Sequence, residues 1–130
     1  MTKIKKKSYL LLLFLILVLV SFLTFSKKQT IDTYSSNNYS IKIKAKDSFS
    51  FGPHKIFIYY KTKDDIFYNY LFDTLLFNDG STISKDNFKV EFKNNNCILS
   101  LSGCEGSSSY LISFSENKVS YTDISEIQSN

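Results

Sequence analysis

The sequence has no arginine and no tryptophan, and it has little histidine, proline, alanine, glycine or cysteine: one, one, one, four and two. Each scarcity excludes a class of function. Without arginine there is no planar donor fork for bidentate contact with phosphates or base edges. Four scattered glycines build no phosphate-cradling loop for a nucleotide cofactor. Two cysteines and one distant His54 lack the spacing of a zinc site. Asp64-Asp65 and Asp79 lack the alternating oxygen ligands and distal glutamate of a calcium loop, and read as turn formers. No metal and no cofactor is expected.

Positive charge is also scarcer than the net +4 implies. Lys3, Lys5, Lys6 and Lys7 account for all of it. The other twelve lysines, from 27 onward, are matched by twelve acids. A nucleic-acid binder needs a positive surplus to engage phosphates. No nucleic-acid partner is expected.

What the chain does have is an uninterrupted apolar run, YLLLLFLILVLVSFLTF, over residues 9–25. It carries no charge, Gly or Pro and is apolar all round, unlike the two-faced helix of a soluble core. As a helix it is roughly 26 Å long at ~1.5 Å per residue, near the lower limit for a hydrocarbon core of ~30 Å. The four lysines before it outnumber Lys27 and Lys28 after it, which orients the C-terminal side outward. The expectation is a single-pass cell-membrane anchor over 9–26, with a cytoplasmic Lys-rich tail over 1–8 and the remainder outside the cytoplasm. The alternative is secretion after cleavage of the segment as a signal, for which Thr24-x-Ser26 is the best site.

Beyond the anchor the pattern is that of strands. Residues 27–38 are polar and aperiodic, and read as a linker. From Tyr39 the period is two: Tyr39, Ile41, Ile43 and Ala45 face one way, and Ser40, Lys42, Lys44 and Lys46 the other. Gly52-Pro53 sets a turn. KIFIYYK over 55–61 is a strand with both faces partly covered. Residues 66–77 are read as a strand on aromatic content, and Asn78-Asp79-Gly80 as a turn. Alternation returns at Phe88-Val90-Phe92 and at Cys97-Leu99-Leu101. Residues 103–109 read as a loop, and Tyr110-Ile112-Phe114 and Val119-Tyr121 as the last strands. The expected fold is mainly β: a small antiparallel β sandwich or barrel-like sheet over 39–122, preceded by one N-terminal transmembrane helix and followed by a frayed tail over 123–130.

Candidate chemistry is sparse. His54, beside Pro53, reads as a surface or turn-capping histidine; a hydrolase would need it set against a nucleophile such as Ser48 or Ser50 and an orienting acid. Cys97 shares a face with Leu99 and Leu101 and reads as a small core hydrophobe, and Cys104 as an exposed loop thiol. Along one extended strand they stand ~23 Å apart, too far for a disulfide unless the chain reverses between them. Tyr59, Tyr60, Tyr68 and Tyr70 are the candidate ligand surface, against the alternative that such dense aromatics form core and cross-strand pairs.

Three features are similar to a group of small, N-terminally anchored proteins of unknown function from Gram-positive bacteria. These are the Lys-rich start with its Leu-rich anchor, the segment SFSFGPHKIFIYY over 48–60, and the strand–turn–strand stretch from Asn87 to Phe114. The chain departs from that group at Phe92, where Trp is more usual, and at Cys97 and Cys104. The resemblance implies the topology and a β domain, and carries no activity and no site residues. The functional expectation is a non-enzymatic interaction module at the outer membrane face, for a protein or cell-envelope partner, with self-protection against a toxin or envelope hydrolase as one version. The alternatives are an envelope hydrolase using His54 and an accessory subunit of a membrane complex.

Overall fold

A computed structural model describes residues 2–25, 27–46, 52–116 and 118–125, with the side chains of the N-terminal helix described from Ser8 to Leu23. That helix, α1, spans Thr2–Phe25. The straight-chain and branched apolar residues, with no Gly or Pro, give the backbone no reason to break. Its apolar side chains from Tyr9 to Leu23 are between 50% and 75% exposed, and none belongs to the core of the domain. Among the described residues no helix is long and apolar enough to cross a membrane. The physical limit is the charge-free run of the sequence: residues 9–25 give roughly 26 Å of helix against a core of ~30 Å, with charged lysines before it. The expectation of a transmembrane anchor over 9–26 is thus met as a helix but not as a full span.

Eight strands follow: β1 Gln29–Ser35, β2 Tyr39–Lys46, β3 His54–Thr62, β4 Asn69–Leu76, β5 Phe88–Lys93, β6 Asn96–Gly103, β7 Gly106–Ser115 and β8 Lys118–Asp123. They form two antiparallel meanders of four strands, β1-β2-β3-β4 and β5-β6-β7-β8. The two sheets bury one shared core. Ile41, Ile43, Ile56 and Ile58 of the first sheet meet Leu99, Leu101 and Ile112 of the second, all with no exposed surface. Aromatic pairs bridge the layers: Phe72 stacks on Tyr121 at 4.1 Å and Tyr39 on Phe114 at 4.1 Å. The Thr74 and Tyr110 hydroxyls lie 2.7 Å apart and satisfy each other inside the sandwich. Of the two architectures expected, the sandwich is the one formed.

Three of the expected boundaries differ from those observed. Residues 27–38 are not a plain linker, since 29–35 form β1 along β2. Ile31 and Tyr34 lie three apart, which breaks a two-residue period. A bulge places Ile31 as an extra residue between Thr30 and Asp32, so both Ile31 and Tyr34 pack against the core. The expected loop over 103–109 shrinks to a turn at Cys104-Glu105, with β7 beginning at Gly106. Its serine run is strand: Ser107, Ser108 and Ser109 pair with Ser102, Leu101 and Ser100, and the Ser100 and Ser109 hydroxyls lie 3.0 Å apart. The strand read over 66–77 starts later, at Asn69, and a bulge at Leu71 sets its register, with Ile58 opposite Phe72 and Tyr59 opposite Tyr70. In the tail, Ile124 donates its backbone N–H to the Ser109 carbonyl at 2.8 Å; residues 126–130 lie outside the described residues.

Candidate functional site: the lysine–aromatic face of the first sheet

Alternation in β2, β3 and β4 sends one residue in two to the core and the other to the outer face of the first sheet. The outward residues are chemically uniform. β2 contributes Lys42, Lys44 and Lys46, opposite Tyr59, Phe57 and Lys55 of β3. β4 brings Tyr70 opposite Tyr59 and Asp73 opposite Phe57. Among the described residues at outward strand positions of this sheet, Asp73 is the one acid.

Ammonium groups and rings interleave across this face. Lys42 Nζ lies 3.8 Å from the centre of the Tyr68 ring, and Lys61 Nζ 5.9 Å from it. Lys28, from the connection between α1 and β1, reaches over Phe57 at 3.9 Å and donates to the Tyr59 hydroxyl at 3.4 Å. Lys44 lies 5.2 Å from the Tyr59 ring. Each such contact at an exposed site is worth ~0.5–1 kcal/mol, and together they hold flexible lysine stems flat along the sheet. Lys46 and Lys55 are cross-strand partners of like charge; Asp73 relieves the pair by binding Lys55 at 3.0 Å.

Asp73 also accepts a hydrogen bond from the Tyr70 hydroxyl. That bond, and then burial, pushes the Tyr70 phenol up to about 12. The Tyr70 hydroxyl, followed by Lys55, holds the Asp73 carboxyl below its usual range. The one acid of this face is therefore held in its ionised form and committed to Lys55 and Tyr70.

The structure divides the four candidate tyrosines. Tyr59, Tyr68 and Tyr70 come together on the outer face, with the Tyr59 and Tyr70 rings edge to face at 5.7 Å. Tyr60 does not join them. It points inward opposite Ile41 and packs against Phe114 of the other sheet at 6.5 Å. The alternation from Tyr39 already places Lys42, Lys44 and Lys46 on one solvated face of a strand, but not beside the tyrosines. What a single strand does not show is that Lys28, Lys55 and Lys61 fall on the same layer, since that depends on strand pairing. The second sheet differs: β6 and β7 turn mostly serines outward, and the lysines at its outward positions, Lys89, Lys93 and Lys118, lie on its two edge strands, with Lys89 paired to Glu91 at 2.6 Å.

Elsewhere, His54 is not at the surface. It opens β3 opposite Leu76, with 7% of its area exposed. Ser48 and Ser50 lie outside the described residues. Cys97 is fully buried and Cys104 exposed, both as free thiols. The Cys104 thiol lies 3.6 Å from the Phe77 carbonyl. No group of three or more metal-ligating side chains occurs among the described residues. At one end of the sandwich, a cleft of about 390 Å³ is lined by the stacked Tyr39 and Phe114 and by Lys63, Asp64 and Glu116; its mixed charges select no ligand chemistry.

The fold and this face define a two-meander antiparallel β sandwich, presenting lysines and aromatics on one layer and carried behind an exposed apolar helix. No family model, curated protein or solved structure matches the chain.

Proposed function

We propose that the protein is a membrane-tethered, non-enzymatic binding module, held by α1 and displaying the sandwich outside the cytoplasm, with the outer face of the first sheet as its binding surface. The observation that carries this reading is charge segregation. A domain that is neutral from residue 27 onward concentrates Lys28, Lys42, Lys44, Lys46, Lys55 and Lys61 on a single layer, among aromatic rings that run from buried Phe57 to exposed Tyr70. Nothing in the packing of the core requires this, because those positions face away from it. A local positive field of this kind gathers anionic partners even when the whole domain is neutral.

α1 supports the tether. Its described apolar side chains are at least half exposed and outside the core, and an exposed apolar patch of this extent marks contact with another apolar phase. The run is short for a bilayer, and lysines at both ends extend its reach by stretching their stems toward the headgroups. A hydrolase reading through His54 is disfavoured by the burial of that side chain.

The test is amine footprinting in intact cells, compared with the purified full chain in detergent. Lys42, Lys44 and Lys61 should be protected in cells, while Lys89 and Lys93 of the second sheet label equally in both. Equal labelling of all five would remove the face as the binding surface.

A further inference from the structure

We propose that the occupant of the lysine–aromatic face is the surface of an anionic bilayer, so that the first sheet lies flat on the membrane that holds α1. This rests on the reading of α1 as the tether.

The connection argues for it first. α1 ends at Phe25 and β1 begins at Gln29, a gap that spans at most ~14 Å when fully extended. Within it, Lys28 already lies on the outer face, over Phe57. A seated helix therefore delivers this layer of the sandwich, with no slack to lift it away. Charge complementarity comes next. Basic side chains near an anionic leaflet bind it, and the attraction decays within a Debye length of ~8 Å at physiological salt. The third observation lies at the other end of the sheet. The β3–β4 connection exposes two large apolar side chains side by side, Ile66 at 81% and Phe67 at 79%. They adjoin Tyr68, whose ring carries Lys42. Exposed apolar residues flanked by tyrosines and lysines are the composition of an interfacial contact, with rings at headgroup level and apolar tips below. A soluble polyanion would use the lysines but leave Ile66 and Phe67 without a role.

The natural chain has no tryptophan, so Phe67→Trp makes a single reporter in the full-length protein; Ile66→Trp repeats the measurement from the neighbouring position. The chain is reconstituted into phosphatidylcholine vesicles with or without phosphatidylglycerol. Flotation establishes the tether independently of the face. The expected result is co-flotation in both lipids, with a blue-shifted emission quenched by brominated acyl chains only when phosphatidylglycerol is present. Neutralising Lys42 and Lys44 with Lys→Gln substitutions should lower the docked-to-undocked ratio about fivefold per lysine, and salt raised to ~1 M, where the Debye length is ~3 Å, should do the same. Co-flotation with water-like emission in both lipids overturns docking and leaves the tether standing. Emission that ignores phosphatidylglycerol and the lysines overturns the role of the charged face. A chain that does not float removes both readings. Protection of the face lysines by soluble polyphosphate, with the reporter silent on vesicles, assigns the face to a polyanion instead and overturns the bilayer.

Discussion

At the residue scale, burial separates side chains that the sequence presents as equals. Cys97 and Cys104 are seven positions apart, yet one has no exposed surface and the other sits in a turn. Burial pushes the Cys97 thiol up from 9.0 to about 12. A maleimide at neutral pH should therefore modify one thiol in the folded chain and two after unfolding, counted by intact mass. Because the folded value lies above the unfolded one, the neutral thiol's contribution to stability is whole below about 9 and is lost as pH climbs to about 12. Comparing the natural chain with Cys97→Ala across that range should show the stability difference shrinking. The tyrosines divide in the same way. Tyr60→Ala removes a ring packed between the sheets and should cost about 3–5 kcal/mol in urea unfolding. Tyr70 is 52% exposed, and Tyr70→Ala should stay within about 1 kcal/mol.

At the scale of elements, two bulges and one close approach fix how strands meet. The bulge at Ile31 turns an aperiodic segment into an edge strand with two core contacts. It also twists an edge that would otherwise invite pairing with another chain. Where the sheets meet near the β6–β7 turn, Gly103 passes so close to the β4 end that an added Cβ would lie 2.0 Å from the Phe77 carbonyl oxygen. Backbone cannot yield there as a flexible side chain does. Gly103→Ala should therefore destabilise the domain by about 2 kcal/mol or more, read as a lowered urea midpoint with unchanged slope. A variant of natural stability would show that the two sheets do not approach at this point.

At the scale of the whole molecule, helix and sandwich are energetically separate. The core draws on both sheets and on Ile83 in the connection between them, and on none of the described side chains of α1. A chain lacking residues 1–25 should keep its β circular dichroism and melt within a few degrees of the full chain. Marked unfolding on truncation would mean that α1 stabilises the domain after all. The separation also explains how a neutral domain has a charged layer: sandwich geometry sorts residues by strand parity, which a net charge averages away.

The regularly alternating strands, the apolar helix and the burial of Ile41, Ile43, Leu99 and Leu101 are legible in the residues alone, because period-two patterning is a local consequence of the pleat. The fates of Cys97 and Cys104 were readable on the same basis. Whatever depends on pairing between distant segments emerges with the folded sheets. β1 exists because β2 supplies its hydrogen bonds and a bulge corrects its register. Tyr60 parts from Tyr59, Tyr68 and Tyr70 because the core lies on one side of β3. Lysines from the α1–β1 connection, β2 and β3 become one surface because the meander folds those segments side by side, and no pattern confined to a single strand carries that information.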